Sequence, residues 1–331
     1  MATRIFKDKH AIESLRESDF DTLSAYGEVI DNSIQANAKN IKIKFLIDGT
    51  NFKQVAFGDD GDGMDSETLE HCAQIGWSSR YGNRDGIGRF GVGMTMAMIH
   101  ECRRMEIYSK NSSGNWLNVY VDLDEIKEEG AEIQPPKPKS LPDEYRGLTG
   151  ETGTIVIWSK YDRQRDPAHK IIDEFKVWAG RTYRYYIWDE NVNIFINGTE
   201  VKAIDPLYLR TDKTNFPEDI TANAYDDITV PWPVNDSDGK SSEITIKTSL
   251  LPEEWRKKQG DGGSRANKER YVHMNNGISI LRNKREVFYG EIPYWSVGNT
   301  GGWAKFEDID RWFGCEIHFH AELDRAFEVK N

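Results

Sequence analysis

The sequence predicts an α+β chain of two domains, the first a two-layer sandwich of helices on a mixed sheet and the second an α/β domain. Three observations carry this. The chain has 331 residues, more than one hydrophobic core usually serves. An apolar repeat of helical period over residues 19–38 is followed by a run of period two over 41–57, which lays a helix against a hairpin. A further helical pattern then precedes three strand-like runs, and helices that alternate with strands in this way pack as layers.

From Asp19 to Ala38, the residues Phe20, Leu23, Tyr26, Ile30 and Ile34 fall on one side of a helix, and that side should face a sheet. Ile41, Ile43, Phe45 and Ile47 alternate with Lys42 and Lys44, and Val55 to Phe57 resumes after the Gly49-Thr50-Asn51 turn, which gives a hairpin. Asp65 or Ser66 caps a second helix reaching about Ile75. Residues 76–89, rich in Gly, Ser and Arg, read as a mobile flap before a third helix from Phe90 to Cys102. Strand-like runs at 104–110, 116–123 and 154–160 follow. They are interrupted by a loop over 127–150, whose core from Gln134 to Ser140 holds three prolines and is expected to form neither strand nor helix. These elements make a domain over 19–165, after an arm at 1–18. Residues 168–187 read as a connecting helix, and strands at 192–196, 243–250 and 277–288 build a second domain over 166–331. Polar runs at 234–243 and 259–268 read as loops.

Composition narrows the function. There are 43 Lys and Arg against 55 Asp and Glu, a net charge of -12, and the basic residues are scattered. A protein that coats nucleic acid is therefore disfavoured. Cys72, Cys102 and Cys315 lie far apart with no Cys-x-x-Cys spacing, which suits buried thiols in a reducing compartment rather than a structural zinc site. The first twenty residues mix charged and apolar types, and the apolar stretch Met94 to Ile99 is far shorter than the roughly 20 residues of a membrane span. A cytoplasmic or nucleoplasmic location is expected. His318 and His320 share one face of a strand without a third ligand on that face, so both are expected to be structural.

Glu28, Asp31, Asn32 and Gln35 recur at i, i+3, i+4 and i+7, opposite Ile30 and Ile34, with Asp21 and Ser24 extending the stripe. The stripe carries no Lys or Arg, and a bound cation would supply the compensation. Mg²⁺ keeps several waters, so one Asn amide oxygen together with phosphates is a plausible ligand set. Phe57 to Met64 (FGDDGDGM) puts acidic residues and glycines where a strand turns into the next helix. Gly86, Gly88, Gly91 and Gly93 precede the apolar helix, where backbone N–H groups form a ready anion site. Competing phosphate signatures fail. Gly239-Lys240-Ser241 has Val234 where a P-loop needs glycine, and neither glycine cluster completes a dinucleotide unit.

The order of these motifs, Glu-x-x-x-Asn, Asp-x-Gly-x-Gly-Met, GRFGVGM and Gly153-Thr154, resembles the GHKL superfamily. This is the ATP-binding (Bergerat) fold of gyrase, the ninety-kilodalton heat-shock chaperones, histidine kinases and MutL. The resemblance spans roughly residues 15–160, and Arg89 to Gly93 is similar to the same segment of the chaperones and of MORC ATPases. It implies ATP and Mg²⁺ as ligands, Glu28 as general base and Asn32 as the Mg²⁺ ligand. Asp59 would accept a hydrogen bond from the adenine amino group, with Gly61, Gly63 and Met64 lining the base pocket and Thr154 supporting the base. It further implies that Ser78, Ser79 and Arg80 touch phosphate, and that Gly88, Arg89, Phe90, Gly91, Val92 and Gly93 wrap the phosphates as a lid. Only about 20 residues precede the first motif helix, which disfavours a histidine kinase.

The second half occupies the place of a transducer domain, which in such ATPases delivers a cation to the terminal phosphate. Lys257, Lys258, Arg265, Lys268 and Arg270 lie in or beside one flexible segment, and Lys268 and Arg265 are the preferred pair. Stretches such as SLLPEEWRKKQG and MNNGISILRNKREV look like microbial MORC-like proteins. The expected function is Mg-dependent ATP hydrolysis that drives closure of a homodimer, with DNA or a protein as a further partner. The alternatives are a nucleotide-binding module without turnover and a MutL-like DNA-repair ATPase.

Overall fold

The computed structural model describes residues 7–17, 21–77, 93–126, 132–234, 241–256, 263–291, 309–324 and 326–327. The chain forms two compact units, one of Met1–Trp178 and Asn191–Val201, the other of Ala179–Glu190 and Lys202–Lys330.

In the first unit, α1 (Asp8–Arg16) precedes α2 (Thr22–Gln35), whose first turn is closed by the Asp21 carboxylate accepting from the Ser24 amide at 2.9 Å. The expected hairpin is β1 (Asn40–Asp48) and β2 (Asn51–Asp59), turned at Gly49 with φ 62°. Ile41, Ile43 and Phe45 are buried, and the interleaved lysines lie on the opposite face of the pleat. Next come α3 (Ser66–His71), capped by Asp65 and shorter than expected, and α4 (Gly93–Glu101). The strands β3 (Cys102–Lys110), β4 (Leu117–Asp122), β5 (Lys137–Pro138) and β6 (Gly153–Tyr161) follow. A long helix, α5 (Ala168–Thr182), and a short one, α6 (Arg184–Asp189), separate these from β7 (Asn193–Ile196) and β8 (Thr199–Glu200).

The eight strands are ordered β5-β4-β3-β6-β2-β1-β7-β8. The β1–β7 pair is parallel and the β1–β2, β2–β6 and β3–β6 pairs are antiparallel, so the sheet is mixed. Two departures from expectation stand here. Residues 193–196, expected in the second domain, join the first sheet between β1 and β8 through main-chain pairing. The proline-rich loop does contribute a strand, since Lys137 and Pro138 pair with Asn118 and Leu117. Proline is tolerated there because an edge strand needs only one row of hydrogen bonds.

Tyr26 of α2 centres the core on one face of this sheet. Its ring lies 5.6 Å from both Phe45 and Phe57, 5.8 Å from Trp158 and 5.2 Å from Phe175. The other face carries Ala56, Tyr108, Ile155 and Ile157, covered by Leu141 and Tyr145 of the 138–150 loop. Burying an aromatic cluster on one side and a mixed aliphatic and tyrosine cluster on the other fixes the central strands from both faces.

The second unit holds β9 (Asn223–Ala224), β10 (Ile228–Pro233), β11 (Ser241–Leu250), α7 (Arg265–Glu269), β12 (Ile278–Arg282), β13 (Arg285–Gly290) and β14 (Phe313–Phe319). The strands are ordered β10-β11-β14-β12-β13, with β9 beside β11. Two runs expected as loops are therefore partly regular: β11 begins at Ser241, and residues 265–269 are helical. One sheet face packs Ile244 and Phe319 with Leu323. The other buries ions. Arg184 of α6 is fully buried and donates to Glu316 Oε1 at 2.6 and 3.0 Å, to Glu286 Oε2 at 3.0 Å and to Ser279 Oγ at 2.7 Å. The expected single helix over 168–187 is broken at Tyr183, and α6 restarts with Arg184 in this cluster.

Candidate functional site

The acidic stripe on α2 divides in the fold. At 100° per residue, Asp31 stands about 60° to one side of Glu28 and Asn32 about 40° to the other. Asp31 is buried, Glu28 half-buried and Asn32 exposed, so the stripe is not a uniformly solvated face. The Glu28 side chain lies against Gly93, the first residue of α4, where a Cβ would overlap the carboxylate.

Asp59 closes β2, between β1 and β6. Its side chain is buried, and among the described residues it accepts three hydrogen bonds. The Gly61 amide at 2.9 Å and the Thr154 amide at 3.2 Å both reach Oδ1, and the Ser33 hydroxyl reaches Oδ2 at 2.9 Å. A carboxylate offers about four lone-pair sites, so Oδ2 retains capacity for one more donor. Burial pushes the Asp59 carboxyl above its ordinary value, the donors from Gly61, Ser33 and Thr154 counter this, and Asp60 adds to the rise.

The turn after Asp59 is held on both sides. Asp60 accepts from the Lys39 and Asn40 amides at 2.8 Å each. Although partial burial pushes its carboxyl up, the Asn40 and Lys39 donors hold it below its ordinary value. Gly63 has φ 68°, and a side chain there would overlap the Lys110 carbonyl, so only glycine fits. The Met64 amide donates to Ser109 Oγ at 2.8 Å, and Ser109 Oγ lies 2.9 Å from Thr154 Oγ1. Thr149 Oγ1 donates to the Asp59 carbonyl and Thr152 Oγ1 to the Gly61 carbonyl, both at 2.8 Å.

The structure thus gathers Asp59, Gly61, Gly63 and Met64 in one turn with Thr154 of β6 beside it, and sets Glu28 and Asn32 on the helix that touches it through Ser33. Sequence reasoning missed Ser33, Ser109, Thr149 and Thr152. Ser33 left one trace, being a weak helix former in mid-helix. Ser78, Ser79, Arg80, Gly88, Arg89, Phe90, Gly91 and Val92 lie outside the described residues, as do Lys257 and Lys258. Arg265 and Lys268 belong to the second unit, on α7 rather than in a loop, and both are exposed. Arg265 pairs with Glu269 at 2.8 Å. Arg270 is engaged by Asp219 through bonds of 2.5 and 2.7 Å.

His318 lies 2.8 Å from Glu316 Oε2, which fits a structural role. Among the described residues no group of three or more His, Cys, Asp or Glu could hold a metal ion. A metal at Asn32 would therefore bring most of its ligands with it, as Mg²⁺ on phosphates does. No helix among the described residues is long and apolar enough to cross a membrane.

Residues 21–151 match the family described as histidine kinase-, DNA gyrase B-, and HSP90-like ATPase. The chain is 26% identical over 241 residues to ATPase morc-1 of Caenorhabditis elegans, covering 57% of this chain and 28% of that protein. It is 23% identical over 190 residues to Protein MICRORCHIDIA 7 of Arabidopsis thaliana, covering 51% of this chain and 27% of that protein. The chain spans less than a third of the length of these relatives.

Proposed function

We propose that residues 21–151 form an ATPase domain of the GHKL type, similar to that of MORC ATPases, and that this chain binds ATP with Mg²⁺, hydrolyses it, and couples the cycle to closure of a homodimer. The observation that carries the reading is Asp59, a buried carboxylate fixed by three donors with one accepting direction left. That direction suits the exocyclic amino group of adenine. Guanine presents a carbonyl oxygen there, which would oppose two acceptors, and sites built on such a bond discriminate by about 10⁴. Gly61 and Gly63 keep the turn beside Asp59 tight, since a Cβ on either would overlap a main-chain carbonyl, that of Ala36 or of Lys110.

Glu28 lies five residues before Ser33 on the same helix, about 7.5 Å along its axis, so base recognition and the proposed chemistry sit on one rigid element. Glu28 takes a proton from a water as the water oxygen bonds to the terminal phosphorus. The bond from that phosphorus to the bridging oxygen breaks, and ADP carries the electron pair away. Asn32 supplies an amide oxygen to Mg²⁺, which neutralises phosphate charge when bound. Ser78, Ser79, Arg80 and Gly88 to Gly93 are assigned to the phosphates, and Lys268 and Arg265 are the proposed cations for the terminal phosphate.

Phosphate release by the purified protein tests the reading. Glu28→Ala should leave ATP binding nearly intact and lower turnover about 100-fold or more. Wild-type turnover in that variant would remove Glu28 from the chemistry, and nucleotide binding without phosphate release in the parent would leave a binding module.

A further inference from the structure

Ser33 is not among the residues assigned to the nucleotide, yet it provides the one side-chain bond to Asp59 among the described residues. It is buried on α2, and its Oγ lies 2.9 Å from Asp59 Oδ2 and 3.1 Å from the Val29 carbonyl. A hydroxyl has one proton, so it can serve only one of these acceptors at a time. We infer that Ser33 is a specificity-determining positioning residue, whose hydroxyl keeps Oδ2 of Asp59 an acceptor and thereby sets the preference for 6-amino over 6-oxo purine nucleotides. The inference rests on the nucleotide reading of this site.

The two oxygens of Asp59 are not equivalent. Oδ1 faces two backbone N–H groups, and a proton placed there would oppose both donors. Protonation therefore falls on Oδ2, the atom with room for the ligand. With the carboxylate ionised, the Ser33 proton goes to Oδ2, because a hydrogen bond to a charged acceptor is the stronger of the two choices. With the carboxyl protonated, the chain reverses: Oδ2–H donates to Ser33 Oγ, and Ser33 donates to the Val29 carbonyl, the helical back-bond open to any serine.

Burial favours the protonated form, and the neighbouring Asp60 pushes the same way. The Ser33 hydroxyl opposes both. Without it, Oδ2 loses its donor, the carboxyl holds its proton more readily, and the O–H has no Ser33 oxygen to point at. It then turns to the ligand and suits a 6-oxo group instead of a 6-amino group. Ser33 thus acts on the ligand through Asp59, by fixing which partner donates.

Calorimetric or competition titration with ATP and inosine triphosphate reads this directly, since the two differ at the purine 6-position. The wild type should prefer ATP strongly. In Ser33→Ala the ratio of the two affinities should shrink about tenfold or more, the scale of one bond to a charged group, through weaker ATP binding with inosine triphosphate unweakened or tighter. Ser33→Thr, which keeps a hydroxyl, should restore the ratio. If Ser33→Ala weakens both nucleotides equally, the residue is merely part of the helix packing and the inference fails alone. A wild-type protein that binds neither nucleotide overturns the nucleotide reading together with this one.

Discussion

Replacing Gly93 with alanine should leave the fold in place while lowering turnover about 100-fold. An added Cβ would lie 2.5 Å from Glu28 Cδ and 3.2 Å from Cγ, with the nearer carboxylate oxygen overlapped. Ordinary carbon contacts are about 3.5–4.0 Å, so the carboxyl group must move by about 1 Å or more. It can do so cheaply, because the obstruction is the end of a flexible side chain and not backbone. Alanine is also the better helix former, so melting temperature should hold or rise slightly. For a group that must meet a water in line with phosphorus, however, a displacement of about 1 Å costs on the order of 10² in rate. Phosphate release, ATP titration and thermal melting would separate these effects. The double variant Glu28→Ala with Gly93→Ala should be no slower than Glu28→Ala alone, because both changes remove the same group from its place. Wild-type turnover in Gly93→Ala, or two effects that multiply, would refute the assignment of Glu28 as the base.

Arg184→Met should cost about 3–5 kcal/mol, because it leaves buried carboxylates without their partner. Burial pushes the Glu316 carboxyl up, but Arg184, His318 and Tyr185 hold it down to about 2. Its contribution to stability is therefore fully present above its unfolded value of about 4.3 and lost as pH falls toward 2. In the variant that carboxyl should move above its unfolded value, so stability should rise as pH drops from 7 to 5. Urea midpoints at the two values check the sign, and a variant with the parental slope would show that Arg184 is not what holds Glu316 ionised. For assembly, a non-hydrolysable ATP analogue should shift the scattering mass toward a dimer and ADP should not, because the proposed cycle links nucleotide binding to dimer closure. A mass unaffected by the analogue counts against the switch.

Local patterning made much of this legible. The alternation of Ile41, Ile43 and Phe45 with lysines gave the hairpin, and the glycines of 57–64 marked the turn that gathers the residues proposed to meet the base. What was not legible depends on partners distant in sequence. Residues 193–196 carry no label saying which sheet they join, and only main-chain pairing with Asn40 to Ile43 decides it. Asp31 and Asn32 are adjacent and both polar, yet one is buried and one exposed, because the helix rotates one toward its packed side. Thr149 and Thr152 look like ordinary turn residues until the 138–150 loop folds back and brings them to the carbonyls of Asp59 and Gly61. Arg184 sits in a run that reads as an amphipathic connector, and nothing local announces that two acidic residues more than 100 positions away enclose it.

The route of the chain has a consequence for how the protein is made and how it can be divided. Strand β6, placed between β2 and β3, lies beyond residue 151, and β7 with β8 lies beyond α6, which belongs to the other unit. A ribosome emits α2 and the turn after Asp59 before it emits the strand that brings Thr154 to Asp59, and emits part of the second unit before the first sheet has its edge. Until β7 emerges, one row of main-chain groups on β1 has no partner strand, an edge that invites association with other chains. A fragment cut at 165 would keep that raw edge permanently. A fragment extended to 201 would close it, at the cost of exposing the Arg184 ions that the second sheet buries. No single cut yields two intact halves, so duplication, fusion or exchange of either unit must carry the crossing segment 179–201 with it.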